Sequence, residues 1–373
     1  MRPLAIRSLS VRAVRNLASL DLELGPGLNV VAGENGQGKT NLLEAVYLLA
    51  TSRSFRTAKL AEVVQAGHEA ASVRGTIEEE GDAREQSVGF GTGARVVRVD
   101  GKRPPTLAAY AVRTPTVVFH PGAVTLSTGG GSERRRLLDR VALYRTPGSL
   151  GDVEAYGKAL RARQRVLETR GDRAPDLEEW ETMVVRHGLA VSASREEAAG
   201  RLTPAAVQAF ARIGAPGLAL SATYARSAPR GEDDYRASLA SSRVRDRARG
   251  SAGVGPHRDD LVLSLAGTPV RGRASQGQHR AVVLALELAE IDVVSELRDV
   301  RPILLLDDVS SELDRARTAA LFAALRDTHL QVLLTTTRPE LIEIDASSGV
   351  EGRRDFTVVE GQVRPVGSGL GAV

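Results

Sequence analysis

Residues 33–40 have the composition and spacing of a phosphate-binding loop. They read GENGQGKT, which fits the full pattern G-x-x-x-x-G-K-[ST], although an ordinary glycine-rich turn is the alternative. Glycines let backbone N–H groups turn toward phosphate oxygens, Lys39 would reach the β- and γ-phosphates, and the Thr40 hydroxyl would bind Mg²⁺. The predicted nucleotide contacts are Gly33, Glu34, Asn35, Gly36, Gln37, Gly38, Lys39, Thr40 and Asn41.

A second segment ends in two adjacent carboxylates. The aliphatic run at residues 303–306 predicts a buried strand that delivers Asp307 and Asp308 to the sheet edge beside the phosphate loop. Asp307 would hold Mg²⁺, directly or through water, and Asp308 would polarise the attacking water. Many phosphate-loop ATPases with such a carboxylate pair have glutamate at the second position. The shorter side chain of Asp308 therefore predicts slow hydrolysis. A purely structural carboxylate pair is the alternative. Lys39, Asp307 and Asp308 are therefore the catalytic candidates.

A third segment is informative mainly because of its position in the chain. Ser275, Gln276, Gly277 and Gln278 follow the phosphate loop and precede the carboxylates. By itself the segment predicts a helix N-cap. A serine hydroxyl at a helix N-terminus can also bind a γ-phosphate, which is the second interpretation.

Composition limits the class of protein. The 373 residues are 42% hydrophobic and 26% charged, with a net charge of +4 and no cysteine. No apolar run approaches the ~20 residues that span a bilayer, and no signal-peptide pattern opens the chain. These features predict a soluble, cytoplasmic protein without disulfides or thiolate metal sites. Aromatic residues make up only 3%, which argues against stacking of single-stranded bases.

Periodicity predicts the elements that position the three segments. Half-buried strands are expected at 5–11, 18–24, 72–78, 85–90 and 95–99, and buried strands at 28–31, 116–119, 302–306 and 331–336. Helices are expected at 41–50, 133–143 with Ser132 as N-cap, 152–170, 177–200, 277–297 and 315–326. A hairpin is expected about Gly267. Strands that alternate with helices indicate a largely parallel sheet covered on both faces.

The sequence resembles the SMC-like class of ABC-type ATPase heads and, within it, the RecF family. The resemblance is carried by GENGQGKTNLLEAVYLLA at 33–50, SFR at 54–56, RRLLD at 135–139, GPHRDDL at 255–261, ASQGQHR at 274–280 and PILLLDDVSSELD at 302–314. The sequence departs from the pattern in two places. PGA stands at 121–123 where the family has acidic residues, which leaves the lid residue open, and Gln276 replaces the glycine of transporter ATPases.

The resemblance implies an α/β fold: an ABC-ATPase head with N-terminal antiparallel strands, a mixed or parallel core sheet and an inserted helical lobe. Residues 1–122 would form ATPase lobe I, 123–252 the helical lobe II, and 253–373 the return to the ATPase core. Two subunits would sandwich two ATP molecules head to tail, so the dimer would be ATP-gated. Two segments would act across this interface: Ser275, Gln276, Gly277 and Gln278 at the γ-phosphate, and Ser310, Ser311 and Asp314 in the loop that links the two sites. Thr336 or Thr337 would be the γ-phosphate sensor, as in related ATPases.

The resemblance also implies a role in recombinational DNA repair, DNA replication and the SOS response. The dimer would bind duplex DNA at single-strand gaps and help to load the recombinase, with slow DNA-stimulated ATP hydrolysis and with RecR- and RecO-type mediator proteins as partners. Arg53, Arg56, Arg135 and Arg136 are the candidate DNA contacts, because arginine pairs well with phosphate. Other arginines at 134, 161–165 and 243–249 are weaker candidates. For every cluster the alternative is a solvated helix face.

Four other functions compete with this interpretation. The first is a nucleotide-gated protein-interaction switch without DNA recognition. A transporter ATPase subunit is disfavoured, because Ser275 lies 275 − 39 = 236 residues beyond Lys39. A nuclease-associated ATPase head would need a long coiled coil or a catalytic domain, and neither pattern is visible. A module that binds ATP without turnover remains open because of Asp308.

Overall fold

The computed structural model describes residues 1–214, 217–308, 330–339, 342 and 353–366. The strands are β1 (Leu4–Val14), β2 (Leu17–Glu23), β3 (Leu28–Ala32), β4 (Ala70–Glu79), β5 (Asp82–Gly91), β6 (Arg95–Val99), β7 (Thr116–Phe119), β8 (Leu220–Ala225), β9 (Asp260–Leu265), β10 (Thr268–Pro269), β11 (Ile303–Leu306), β12 (Val332–Thr336), β13 (Arg354–Val359) and β14 (Gln362–Pro365). The helices are α1 (Lys39–Thr51), α2 (Leu107–Ala111), α3 (Thr125–Thr128), α4 (Gly131–Arg145), α5 (Ser149–Arg170), α6 (Leu177–Ile213), α7 (Glu232–Arg249) and α8 (Gln276–Arg298).

The chain divides into two compact units. Unit 1 contains residues 1–123 and 290–373, and unit 2 contains residues 124–289. Residues 253–289 count with unit 2, because β9 pairs with β8 along its whole length. The sequence placed the return to the ATPase core at residue 253, whereas the compact units change at residue 290.

Unit 1 contains an antiparallel sheet in the order β2-β1-β4-β5-β6. Alternation of apolar and polar residues places one face of each strand in the core. Val11, Val73, Val88 and Val97 lie in register across four strands, and all four are buried. The strands predicted for this region are confirmed, because a half-buried strand leaves a clear period of two.

The second sheet of unit 1 has the order β14-β13-β3-β12-β11-β7. All neighbours are parallel except β14, which pairs antiparallel with β13 at the edge. Parallel strands bring their carboxyl ends to one edge, so Gly33 after β3, Asp307 after β11 and Thr337 after β12 lie along the same edge. The predicted parallel core is confirmed, and this edge is where the nucleotide chemistry was expected.

Unit 2 contains the helices α3 to α7, the start of α8 and the sheet β10-β9-β8. The hairpin about Gly267 is confirmed, with both Ala266 and Gly267 at positive φ. The prediction that α6 ends at Gly200 is wrong, because α6 continues to Ile213 through Pro204. Leu202, Ala206, Ala209 and Phe210 recur at helical spacing and are buried, which offsets the hydrogen bond that proline removes.

The predicted N-cap at Ser132 is also wrong. Helix α4 begins at Gly131 after an extended Gly130, and Ser132 is exposed inside the first turn. A Cβ atom at Gly131 would lie 2.6 Å from Arg135 Nη1 and 2.9 Å from Asp260 Oδ1, so a glycine at the start of α4 leaves room for both side chains. Within the described residues, no helix combines the length and the apolar character needed to cross a membrane.

Candidate nucleotide site

The loop at residues 33–40 connects β3 to α1, as the phosphate-loop pattern requires. Gly36 and Gly38 have φ angles of +82° and +115°, in the region that side chains disfavour. A Cβ atom at Gly33 would lie 2.6 Å from the Val358 carbonyl oxygen of β13. The glycines therefore meet two different needs, a left-handed backbone in the loop and a close approach to the neighbouring strand.

The Lys39 side chain is held inside this loop. Its Nζ atom donates to the carbonyl oxygens of Gly33, at 2.7 Å, and Glu34, at 2.8 Å. Burial lowers the pKa of Lys39, and the negative charges of Asp308 and Asp307 act in the opposite direction. A phosphate would supply the ammonium with the negative partner that its backbone contacts lack.

Thr40 and Asp307 meet at the carboxyl edge of the sheet. The Thr40 hydroxyl lies 2.9 Å from each carboxylate oxygen of Asp307. Burial raises the pKa of Asp307, and hydrogen bonds from Thr335 and Thr40 partly oppose that effect. The structure thus brings together the two side chains that the sequence assigned to Mg²⁺.

Thr335 belongs to this site and was not predicted. Its hydroxyl donates to Asp307 Oδ1 at 2.8 Å and accepts from the Asp308 backbone N–H at 2.9 Å. Asp308 itself has a positive φ of 49°. The available signal was a polar residue near the end of a buried strand. The sensor candidates follow directly: Thr336 is buried and its carbonyl accepts from the Gly33 N–H, whereas Thr337 is exposed.

Two turns far away in sequence hold the phosphate loop at Gln37. The Asn16 amide donates to the Gln37 carbonyl at 3.0 Å, and the Gly361 N–H donates to the same oxygen at 2.8 Å. The Gln37 side chain accepts from the Glu360 N–H at 2.6 Å. Asn41 donates to Asn16 Oδ1 at 2.8 Å, which ties the start of α1 to the same turn. Neither Asn16 nor the turn at Glu360 was predicted from the sequence.

The buried carboxylate of Glu44 organises the residues beyond α1. Arg15 contacts it through Nε at 2.9 Å, Arg56 through Nη1 at 3.2 Å, and Ser54 through its hydroxyl. Glu44 is fully buried, whereas the Arg56 side chain is 41% exposed. Arg56 also donates to Asn41 Oδ1 at 2.8 Å. The neighbouring DNA candidate, Arg53, is exposed.

In unit 2, the segment at residues 275–278 forms the start of α8. The Gln278 side chain accepts from the Ser275 N–H at 2.8 Å, and the Gln278 N–H points at Ser275 Oγ at 3.3 Å. This reciprocal arrangement is a capping box, so the predicted N-cap is confirmed. Ser275 and Gln276 are exposed, and Gly277 is half-buried. The segment thus presents a hydroxyl and a helix N-terminus to solvent.

The remaining candidates of unit 2 lie on α4. Arg135 donates to the Asp259 carbonyl at 2.8 Å and is half-buried, while Arg136 is exposed and pairs with Glu133 at 2.7 Å. The weaker candidate Arg163 is fully buried between Glu181 and Asp246 and is not available to DNA. The linking-loop candidates Ser310, Ser311 and Asp314 lie outside the described residues.

This geometry has one chemical consequence. A glycine-rich loop between a strand and a helix, with its threonine against a strand-end aspartate, can hold a nucleoside triphosphate and a divalent cation. The mixed sheet beside an antiparallel sheet, interrupted by a helical insertion that carries a serine-capped helix, defines an ABC-type ATPase head of the SMC-like class.

Comparison with known proteins identifies the family. A profile described as RecF/RecN/SMC N terminal domain matches residues 5–355. The DNA replication and repair protein RecF of Anaeromyxobacter sp. (strain Fw109-5) is 42% identical over 350 residues, 90% of this chain and 93% of that protein. RecF of Geobacter sulfurreducens is 34% identical, over 97% of this chain and 100% of that protein. The chain belongs to the RecF family.

Solved structures support the same fold. A structure of the recombination mediator protein RecF with ATP, described as part of the RecFOR pathway, has a TM-score of 0.86 at 28% identity and covers 98% of both chains. An Smc head bound to the C-terminal winged-helix domain of ScpA has a TM-score of 0.53 at 14% identity, covering 97% of this chain and 96% of the Smc head. The second likeness concerns the fold alone.

Proposed function

We propose that this DNA-repair ATPase is an ATP-dependent DNA-binding protein of recombinational repair, in which ATP drives two copies of the chain together. The contact between the Thr40 hydroxyl and the Asp307 carboxylate carries the proposal, because it joins the phosphate loop to the strand-end acid. A dimer that needs a γ-phosphate would be favoured by ATP and not by ADP, since only differential binding shifts an equilibrium.

The residues present fit Mg²⁺ as the cation. Mg²⁺ commonly binds through one or two carboxylates, a hydroxyl, phosphate oxygens and water. Asp307 supplies a carboxylate and Thr40 a hydroxyl. Among the described residues, no cluster of three or more His, Cys, Asp or Glu side chains could hold a metal ion. When bound, Mg²⁺ would offset the charge of the phosphates. Asp307 and Thr40 would hold it, Lys39 would bind the β- and γ-phosphates, and Asp308 would orient the attacking water.

The serine-capped start of α8 is the proposed contact across the dimer. Ser275 and the N–H groups of Gly277 and Gln278 would bind the γ-phosphate held at Lys39 of the second copy. Ser275 is exposed and its hydroxyl already serves as an acceptor at the helix N-terminus, which supports this role. Ser310, Ser311 and Asp314 are proposed for the loop that links the two sites, and Thr336 or Thr337 for the sensor.

The DNA proposal separates into stronger and weaker residues. Arg53 and Arg136 are exposed and remain the proposed phosphate contacts. Arg56 pairs with the buried Glu44, and Arg135 donates to the Asp259 carbonyl, so these two are the weaker candidates. We propose duplex DNA at single-strand gaps as the preferred substrate, with slow DNA-stimulated hydrolysis. RecR- and RecO-type proteins are the proposed partners in loading the recombinase.

Fluorescence anisotropy tests the proposal. Gapped, duplex and single-stranded DNA are each titrated with ATP, ADP or no nucleotide, using the wild type and Lys39→Met. Binding to DNA that contains duplex should require ATP and disappear in Lys39→Met. Nucleotide-independent binding, or no binding at moderate salt, contradicts it.

The same assay tests the arginines. Arg53→Gln and Arg136→Gln should each weaken binding and lower the salt slope by about one. Arg98→Gln is the matched control, because Arg98 is exposed but contacts the Gly101 carbonyl of its own hairpin at 2.8 Å. ATP-dependent dimerisation without any DNA binding would favour the second candidate function, a nucleotide-gated protein-interaction switch.

A further inference from the structure

Arg134 is a buried residue of unit 2 that the nucleotide chemistry does not use. Its side chain is 5% exposed and pairs with Asp260, at 2.7 Å from Nε and 2.8 Å from Nη2. Its Nη1 atom donates to the carbonyl oxygens of Leu126, at 2.7 Å, and Gly129, at 3.2 Å. Arg134 therefore links the short helix α3 to Asp260 at the start of β9.

Helix α3 in turn holds the first turn of α8. The Ser127 hydroxyl donates to the Val124 carbonyl at 3.0 Å and lies 3.0 Å from His279 Nδ1. The Ser127 hydroxyl and His279 Nδ1 form a hydrogen bond whose donor depends on the tautomer of the imidazole. Ser127 and His279 are 1% and 8% exposed, so water does not easily replace this hydrogen bond.

His279 lies directly after the capping segment. Its N–H donates to the Ser275 carbonyl at 2.9 Å, which closes the first turn of α8. Anchoring the imidazole therefore fixes the rotation of the turn that carries Ser275 and Gln278. A phosphate contact needs donors placed within fractions of an ångström, so small rotations of this turn matter.

We propose that Ser127 and His279 are positioning residues that orient the 275–278 segment for the γ-phosphate of the second copy, and that Arg134 holds Ser127 in place. The inference rests on the proposed ATP-driven dimer. It gives the motif at 255–261 a role, because Asp260 is the acid that anchors Arg134.

The first test uses the full chain and compares Ser127→Ala with Thr128→Ala. Thr128 is the matched control, because its hydroxyl also donates to the Val124 carbonyl, at 3.1 Å, but the residue is exposed. Ser127→Ala should weaken ATP-dependent dimerisation about tenfold in analytical ultracentrifugation, since one hydrogen bond is lost at each of two identical sites. Binding of a fluorescent ATP analogue to the monomer should change less than about twofold, and Thr128→Ala should match the wild type.

Mixed dimers separate a positioning role from a merely structural one. Ser127→Ala retains its phosphate loop, and Lys39→Met retains its 275–278 segment. Mixing them should therefore rebuild one complete site and restore part of the ATP-dependent association. His279→Leu should resemble Ser127→Ala, and the double variant should be no weaker than either single variant, because both remove the same contact.

The inference would be overturned if Ser127→Ala and His279→Leu dimerised with ATP as strongly as the wild type. It would also be overturned if the mixture recovered no association although each variant unfolds at the wild-type temperature. A wild-type chain that does not dimerise with ATP would overturn the proposed function itself, and this inference with it. The wild-type measurement thus distinguishes the two failures.

Discussion

Asp307 is a buried carboxylic acid directly after β11. Burial raises the pKa of its carboxyl group above the ordinary value of 3.8, and two threonine hydroxyls only partly oppose this. An acid with a raised pKa binds more protons in the folded protein than in the unfolded chain. Its contribution to stability therefore falls as pH rises through the folded pKa, and at neutral pH the ionised group destabilises the nucleotide-free protein.

Asp307→Asn should remove this destabilisation and should also impair ATP hydrolysis. Without nucleotide, the variant should unfold at a higher temperature than the wild type at pH 7, and the difference should shrink as the pH falls toward 4. With ATP and Mg²⁺, hydrolysis should fall by about 10²-fold or more, because the cation loses its carboxylate ligand. Calorimetry across pH and a phosphate-release assay measure the two effects. Asp82→Asn, at the exposed first residue of β5, is the control. A lower unfolding temperature for Asp307→Asn than for the wild type at pH 7 would contradict this prediction.

At the scale of elements, two turns outside the phosphate loop hold it at Gln37. The turn between β13 and β14 approaches so closely that a Cβ atom at Gly361 would lie 2.2 Å from the Asn16 carbonyl oxygen. Asn16 and Gly361 both donate to the Gln37 carbonyl, so displacing either turn releases the loop from one side.

Gly361→Ala should therefore weaken ATP binding, by about tenfold if it removes one of these hydrogen bonds and loosens the loop. The control is Gly81→Ala: Gly361 and Gly81 have φ angles of +78° and +91°, but nothing lies within 4 Å of a Cβ atom at Gly81. Both variants should lose about 1 kcal/mol of stability from the left-handed backbone. Equal ATP affinities in isothermal titration calorimetry would show that the turn does not hold the loop.

Unit 2 contains a second element-scale test in its buried ion pairs. Arg163 is fully buried and lies 3.0 Å from Glu181 and 2.9 Å from Asp246, which are 2% and 1% exposed. Arg163→Met would leave Asp246 and part of Glu181 without this partner, and should destabilise unit 2 by about 3–5 kcal/mol. Arg165→Met, on the exposed side of the same helix, should change stability by less than about 0.5 kcal/mol. Similar denaturant midpoints for the two variants would contradict this assignment.

The same elements show what the sequence could predict. The phosphate loop, α1, β7, β11 and the N-cap of α8 are specified by residues within a few positions of each other, and all were predicted. Asn16 and the turn at Gly361 act through partners far away in the chain, so the local pattern carries no trace of them. Thr335 left only the weak signal of a polar residue near the end of a buried strand. Ser132 was mistaken for a cap because the space needed by Asp260 at Gly131 is a tertiary effect.

At the scale of the whole molecule, unit 1 is built from both ends of the chain and unit 2 from the middle. The side chain of Asn29 on β3 bonds the Val332 carbonyl, 303 residues away. Buried Gln331 donates to the Ile6 carbonyl and accepts from its N–H, across 325 residues. Unit 2, by contrast, is one continuous segment rich in helix, with contacts that close much shorter loops.

This arrangement predicts an order of folding. Closing a long loop costs conformational entropy before its contacts form, so structures rich in local contacts fold faster. In pulse-labelled hydrogen exchange during refolding, the amides of α5 and α6 should therefore become protected before those of β3 and β12.

The folding of unit 2 should also speed the folding of unit 1. Once unit 2 has formed, its compact body shortens the effective loop between the two halves of unit 1. The variant Arg163→Met, which destabilises unit 2, should therefore delay protection of β3. Arg165→Met should leave the order and the rates unchanged. Protection of β3 and β12 before α5 and α6, or an unchanged rate for β3 in Arg163→Met, would show that unit 1 assembles its sheet without help from the segment inserted in it.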